Sequence, residues 1–329
     1  MTYISGLNHQ HVARLEYRFG MFFAPLLFDK KVIAEIEKLQ QSGKLGMRIY
    51  AMISADSVNV PYFLQKGFIQ TDLLAVRSFK IYGDGALGSR GACLLHPYHD
   101  KPKETGFLLK TPAQLDSLIG LIQAKGFQIN THCIGDSANR ILLDIYGKYL
   151  GKDGKEKRWR IEHAQVVHNQ DREKFKTYGI IPSIQPTHAT SDMYWAGDRL
   201  GKERLPTAYA YQSLLTTAGL VANGSDFPIE DINPLYGFHA AVARQDAKGF
   251  PDGGFQPENA LTKIQALKGM TIWAAYAQFD EKVKGSLEVG KWADFVILDK
   301  NIMEIPVAET RDTKILQTFI GGKSVFSKK

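Results

Sequence analysis

The sequence predicts an α/β fold built on a parallel sheet, and three observations carry that prediction. Short β-rich runs alternate with stretches of helical periodicity along most of the chain. Each run leads through a polar junction into an amphipathic segment long enough to cross back over a sheet, which parallel neighbours require. No tandem repeat, low-complexity stretch or Pro/Gly-rich linker interrupts the series.

Six strands follow in order. Residues 47–53 give the first and 78–82 the second, which ends in glycines; 127–132, 159–163, 180–185 and 220–225 give the rest. Thr111 is placed to cap a helix with Pro112 at its first position, running to Lys125 before Gly126. Asp136 caps the next, with Ile141, Leu142, Ile145 and Tyr149 on one face. After Asp280 the pattern changes to short strands at 295–298, 314–319 and 324–326. Gly321-Gly322 joins the last two as a hairpin turn, so this end is a small β-structured appendage. Six strands fall short of the eight a closed barrel needs. An open doubly wound sheet tolerates six, but no dinucleotide fingerprint follows the first strand.

Composition narrows the class. In 329 residues, 44% hydrophobic and 23% charged, wholesale disorder is excluded. Two cysteines, Cys93 and Cys133, cannot build a disulfide scaffold or a four-cysteine zinc module. The net charge of +7 is dispersed, with no basic stripe, so no nucleic-acid partner is expected. No apolar run reaches the roughly 18 residues of a membrane span. No export signal opens the chain either, so a cytoplasmic location is expected.

The chemistry lies at strand ends. Lys80, His132, His163 and Asp226 each fall at or near the C-terminal end of a different strand. In a parallel β/α architecture those ends converge on one face, so the four should share a site. Two imidazoles and a carboxylate are good ligands for a divalent metal. Lysine joins such a set only after CO2 converts it to a carbamate. Each has a plainer reading: a satisfied strand-end histidine, a turn aspartate, a surface lysine. Together, one per strand, they outweigh it. Cys133 follows His132 and faces the other side of the sheet, which favours packing. His96, His99, His168 and His239 read as surface or loop histidines.

These residues sit in segments that resemble the metal-dependent amidohydrolase superfamily, in the branch around N-substituted formamide deformylase. The matching stretches are Phe79-Lys-Ile-Tyr-Gly-Asp-Gly-Ala-Leu-Gly-Ser-Arg-Gly91, Thr131-His-Cys-Ile-Gly-Asp136 and Arg160-Ile-Glu-His-Ala-Gln165. Gln185-Pro-Thr-His-Ala-Thr-Ser-Asp192, Gly224-Ser-Asp-Phe-Pro228 and Gly285-Ser-Leu-Glu-Val-Gly-Lys-Trp-Ala-Asp294 follow in family order. The resemblance implies a (β/α)8 TIM barrel with a two-metal site, zinc being the usual ion. Lys80 would be the carbamylated bridge, His132 and His163 would bind the second metal, and Asp226 would bind the first and shuttle the proton. Arg90, His188 and Trp195 are candidates for holding substrate, with loop bracing or packing as alternatives. Asp84 is a turn residue on this reading. The expected reaction is hydrolysis of a small-molecule amide or N-formyl C–N bond, with an ester as alternative. A homo-oligomer is compatible with the pattern.

The family pattern opens with His-x-His on an apolar first strand, and His9-Gln-His11 has that spacing in the wrong setting. Residues 1–28 therefore read as an unmatched segment, 29–284 as a partial barrel holding strands three to eight, and 285–329 as the C-terminal strands of a β-sandwich appendage. A chain so built should hold at most the second metal and hydrolyse poorly, or be a catalytically inactive fragment.

Overall fold

A computed structural model of the protein describes residues 28–328. Its main sheet contains strands β1 (Ile49–Ser54), β2 (Ile69–Gln70), β3 (Leu74–Tyr82), β4 (Gln128–Cys133), β5 (Arg160–His163), β6 (Ile181–Ile184) and β7 (Ala222–Asn223). Six of them run parallel in the order β1-β3-β4-β5-β6-β7, and β2 pairs antiparallel with the start of β3. Each strand thus lies beside its successor, the winding of a barrel, and the sheet curls as a half-barrel. All six expected strands are present. The expected second strand starts four residues earlier than 78, and the expected last one shrinks to two residues. Among the described residues the sheet does not close. The outer edge of β1 takes one parallel bridge from Phe28 to Ile53.

The helices cover the outer face. They include α1 (Lys30–Gln41), α2 (Asn59–Lys66), α3 (Pro112–Gln123), α4 (Asp136–Leu150) and α5 (Glu173–Tyr178). Thr111 caps α3 as expected, in a reciprocal box with Gln114 that contributes about 1 kcal/mol. Asp136 proves to be the first residue of α4, whose cap is Gly135. The buried face of α4 includes Leu142, Leu143, Tyr146 and Leu150, so of the expected stripe Leu142 is buried while Ile141, Ile145 and Tyr149 lie at its margin. Gly135 is required there: any Cβ would run into the carbonyl of Cys93. Further along come α6 (Pro186–Asp192), α7 (Ala196–Arg204), α8 (Tyr211–Ala218), α9 (Pro234–Ala243), α10 (Lys263–Met270) and α11 (Ile272–Ala277). None is long and apolar enough to cross a membrane among the described residues.

The two faces of the sheet differ in chemistry. Ile49, Ala51, Ile53, Phe79, Ile81, Ile129, Ile161 and Ile184 face the helices in one apolar core. The concave face is polar. Tyr50 Oη donates to Gln128 Oε1 at 2.8 Å, Gln128 Nε2 donates to the Ala277 carbonyl at 2.8 Å, and Arg160 pairs with Glu162 at 2.7 Å, all buried. Barrel interiors are commonly filled by branched apolar layers. Here a hydrogen-bonded network fills that role beneath the strand ends.

A β-bulge in β3 sets which residues meet that network. Val76 pairs with Ala51, but Ser78 pairs with Met52, leaving Arg77 as the extra residue. Leu74 and Val76 pack outward with the helices. Strict alternation would send Lys80 outward with them. The inserted Arg77 reverses the parity, so Phe79 and Ile81 face the helices and Lys80 faces inward.

The C-terminal sheet is antiparallel, β10-β9-β8, from β8 (Phe295–Leu298), β9 (Ile315–Ile320) and β10 (Lys323–Ser327). Gly321 and Gly322 take φ of 57° and 76° at the turn, the conformation a two-residue hairpin favours. Arg48 ties this sheet to the barrel: it pairs with Asp294 at 2.6 Å and lies 3.6 Å over the Trp292 ring.

Candidate metal centre

Lys80, His132 and His163 stand at the C-terminal ends of the adjacent strands β3, β4 and β5. Their register places Tyr82 beside His132 and Cys133 beside His163. Lys80 is 8% exposed, and no carboxylate among the described residues lies within ion-pair distance of its amine. Burial pulls its pKa below the usual lysine value, although Glu162 and Asp226 work in the opposite direction. A buried amine without a close counterion is costly as an ammonium, and such groups mark functional sites.

The two imidazole rings meet with centroids 4.4 Å apart. Burial first, then the neighbouring ring and Lys80, holds His132 well below the ordinary histidine value; burial and Lys80 do the same for His163. Both are therefore neutral, the form that ligates metal. By pleat alternation His163 should follow Ile161 outward. Its φ of 75° turns the ring back, and Ala164 at 43° continues the irregular backbone. Positive φ on a non-glycine residue costs on the order of 1–3 kcal/mol and collects at functional sites. Asp226 at φ 60° and Arg90 at 63° belong to the same group.

Asp226 lies three residues beyond β7 and pairs with His188 rather than with the His132–His163 rings. His188 Nε2 is 3.9 Å from Asp226 Oδ2, buried, and without a hydrogen-bond partner among the described residues. The His188 ring stacks 5.8 Å from His163. Among the described residues no three His, Cys, Asp or Glu side chains converge on one cation position. The structure thus brings Lys80, His132 and His163 together, with Asp226 and His188 as a second pair beside them. His9 and His11 lie outside the described residues.

The other candidates are placed as follows. The guanidinium of Arg90 forks onto Asp100, at 3.1 and 2.6 Å, and Arg199 shares that carboxylate, so its side chain braces the loop after β3. Trp195 packs against Gly88 of the same loop and lies 5.7 Å from Arg199. Cys133 is buried in the helix-facing core, as expected. His239, expected at the surface, is 2% exposed on α9.

Three contributors escaped the sequence reading. Asp84 is a junction and not merely a turn residue. Its carboxylate accepts backbone N–H groups of Cys93, Ile134 and Gly135 at 2.8–2.9 Å and lies 3.6 Å from His132 Nε2. Gln185 Oε1 is 2.7 Å from His163 Nδ1. Glu162 sits beneath the site; burial works to raise its carboxyl, but Arg160 and then Lys80 hold it down at about 2. Gln185 meets His163 across 22 residues and Asp84 meets Ile134 and Gly135 across 50 and 51, so local pattern carried no signal for either; Glu162 has Arg160 two residues away, and only the fold brings Lys80 over it.

With that geometry, similarity to known proteins is informative. The sequence pattern of the Amidohydrolase family matches residues 18–326. Protein LONG AFTER FAR-RED 3 of Arabidopsis thaliana is 36% identical over 265 residues, 80% of this chain and 45% of that protein. N-substituted formamide deformylase of Arthrobacter pascens is 26% identical over 255 residues, 76% of this chain and 45% of that protein. The crystal structure of an uncharacterized metal-dependent hydrolase from Pyrococcus horikoshii superposes with a TM-score of 0.77 at 27% identity, covering 85% of this chain and 56% of that one. The chain spans about half the length of the proteins it matches. A match over nearly all its residues, with the half-barrel and the buried strand-end lysine and histidines, leads to one conclusion: the chain belongs to the Amidohydrolase family.

Proposed function

We propose that this chain forms the catalytic face of a metal-dependent amidohydrolase acting on a small-molecule amide or N-formyl C–N bond. The observation that supports it best is the buried trio Lys80, His132 and His163, with the two imidazole centroids 4.4 Å apart and burial favouring their neutral form. That donor set fits one divalent cation, zinc by ligand chemistry, with Lys80 joining as a carbamate. When bound, such a cation polarises a carbonyl and lowers the pKa of water towards about 7. The chain's own residues do the rest. Asp226 accepts the proton of the attacking water at its carboxylate and returns it to the leaving nitrogen. His188, beside Asp226 with an unsatisfied Nε2, donates to the carbonyl oxygen as charge develops there. Trp195 and the loop braced by Arg90 wall the site.

Metal analysis tests this. Purified protein dialysed against Zn2+ should retain about one ion per chain, lost in His132→Ala and in His163→Ala. A stoichiometry that neither substitution changes would place the metal elsewhere and overturn the reading.

A second reading is favoured by the absence, among the described residues, of three converging His, Cys, Asp or Glu ligands. On it the chain holds a metal half-site and hydrolyses poorly by itself. Two tightly bound ions per chain, or brisk turnover of simple N-alkylformamides, would exclude it.

A further inference from the structure

We propose that Gln185 is a positioning residue that sets the tautomer of His163 and thereby decides which ring nitrogen is offered to a divalent cation. The proposal rests on the metal-centre reading above. Gln185 precedes Pro186, and a residue before proline is confined to extended backbone; its φ and ψ are −122° and 96°. It therefore continues the pleat of β6 and shares the concave face with Ser183, two residues earlier. The Tyr211 hydroxyl donates to the Gln185 carbonyl at 3.0 Å and pins the backbone from the helix side.

The side chain is oriented as firmly. Gln185 Nε2 donates to the Ser183 carbonyl at 3.3 Å, so Oε1 is the atom turned to His163. A flipped amide would set Oε1 against that carbonyl, two acceptors face to face. Oε1 lies 2.7 Å from His163 Nδ1 and carries no proton. Nδ1 must donate, and Nε2 keeps the lone pair. With the ring packed against His132 and the backbone held at φ 75°, the imidazole has little freedom to turn over. The ligand nitrogen of His163 is chosen before any ion arrives, which lowers the reorganisation needed on binding.

Histidine-selective 15N labelling tests this on the metal-free protein, with Gln185→Leu and Gln185→Glu for comparison. Long-range 1H–15N correlation should show His163 protonated at Nδ1 in the native chain and in Gln185→Glu, whose carboxylate still accepts. Gln185→Leu should lose that preference and bind Zn2+ about 10–100-fold more weakly in a chelator competition, while Gln185→Glu stays within a few-fold of native. Native His163 protonated at Nε2, or a Gln185→Leu variant with unchanged tautomer and Zn2+ affinity, would overturn the proposal. If the native chain binds no Zn2+ yet shows the Nδ1–H tautomer that Gln185→Leu abolishes, the metal reading fails and the positioning role stands.

Discussion

Replacing Lys80 by methionine should make the metal-free protein more stable while removing its capacity to hold an ion. Methionine keeps an unbranched stem of similar length and discards the ammonium. Lys80 is 8% exposed, and burial outweighs the favourable influence of Glu162 and Asp226 on its charge. Glu162 keeps Arg160 as partner at 2.7 Å after the change, so no carboxylate is orphaned. Exchanging buried charge for an apolar side chain of similar volume is commonly worth about 1–4 kcal/mol, and one ammonium with no carboxylate partner among the described residues suggests a gain of about 1–3 kcal/mol. At about 2–4 °C per kcal/mol for a large domain, the thermal midpoint should rise by several degrees. The assay is urea unfolding in the presence of a chelator, with Lys80→Ala as the control that also removes the stem and so forfeits packing. A Lys80→Met variant less stable than native by more than about 1 kcal/mol would refute the reasoning, because the ammonium would then be making an ion pair the fold needs.

Other perturbations read different parts of the structure. Deleting Arg77 removes the bulge and should turn Lys80 towards the helices, destabilising the fold by several kcal/mol and abolishing Zn2+ binding; a deletion variant of native stability would contradict the parity argument. Gly135→Ala drives a methyl into the Cys93 carbonyl and should cost about 1–3 kcal/mol in the urea midpoint, although φ at that position is ordinary. His239 is 2% exposed, and burial, then Arg311, pushes it from 6.5 down to about 4. Between those values the unfolded chain takes up a proton that the folded chain refuses, so stability falls as pH drops through that window, by up to about 3 kcal/mol. His239→Gln should flatten that part of the profile, and an unchanged slope in unfolding measured at pH 7 and pH 4.5 would show that His239 is not its source.

Much of the fold was legible because local chemistry states it. Residues 159–163 and 127–132 are β-rich runs bounded by turns, and Thr111-Pro112 announces a helix start. Lys80, His132 and His163 could be placed on one face because they end successive parallel strands. The face each helix buries was less clear: α4 offers Ile141 and Ile145 as plausible core residues, yet Leu143 and Tyr146 take that place. Hydrophobicity is similar on both flanks, and only the neighbouring elements choose between them.

The sequence by itself determined the alternation of strands and helices, the family, and the identity of the strand-end polar residues, since each is written in contiguous residues and their spacing. Tertiary structure decided their orientation and their company. The Arg77 bulge that turns Lys80 inward exists only in the register between β3 and β1. The left-handed backbone at His163, and the hold of Gln185 on its ring across 22 residues of chain, exist only once β5 and β6 are side by side. Parity and hydrogen-bond partnership are properties of paired strands, and a single strand's sequence does not contain its neighbour.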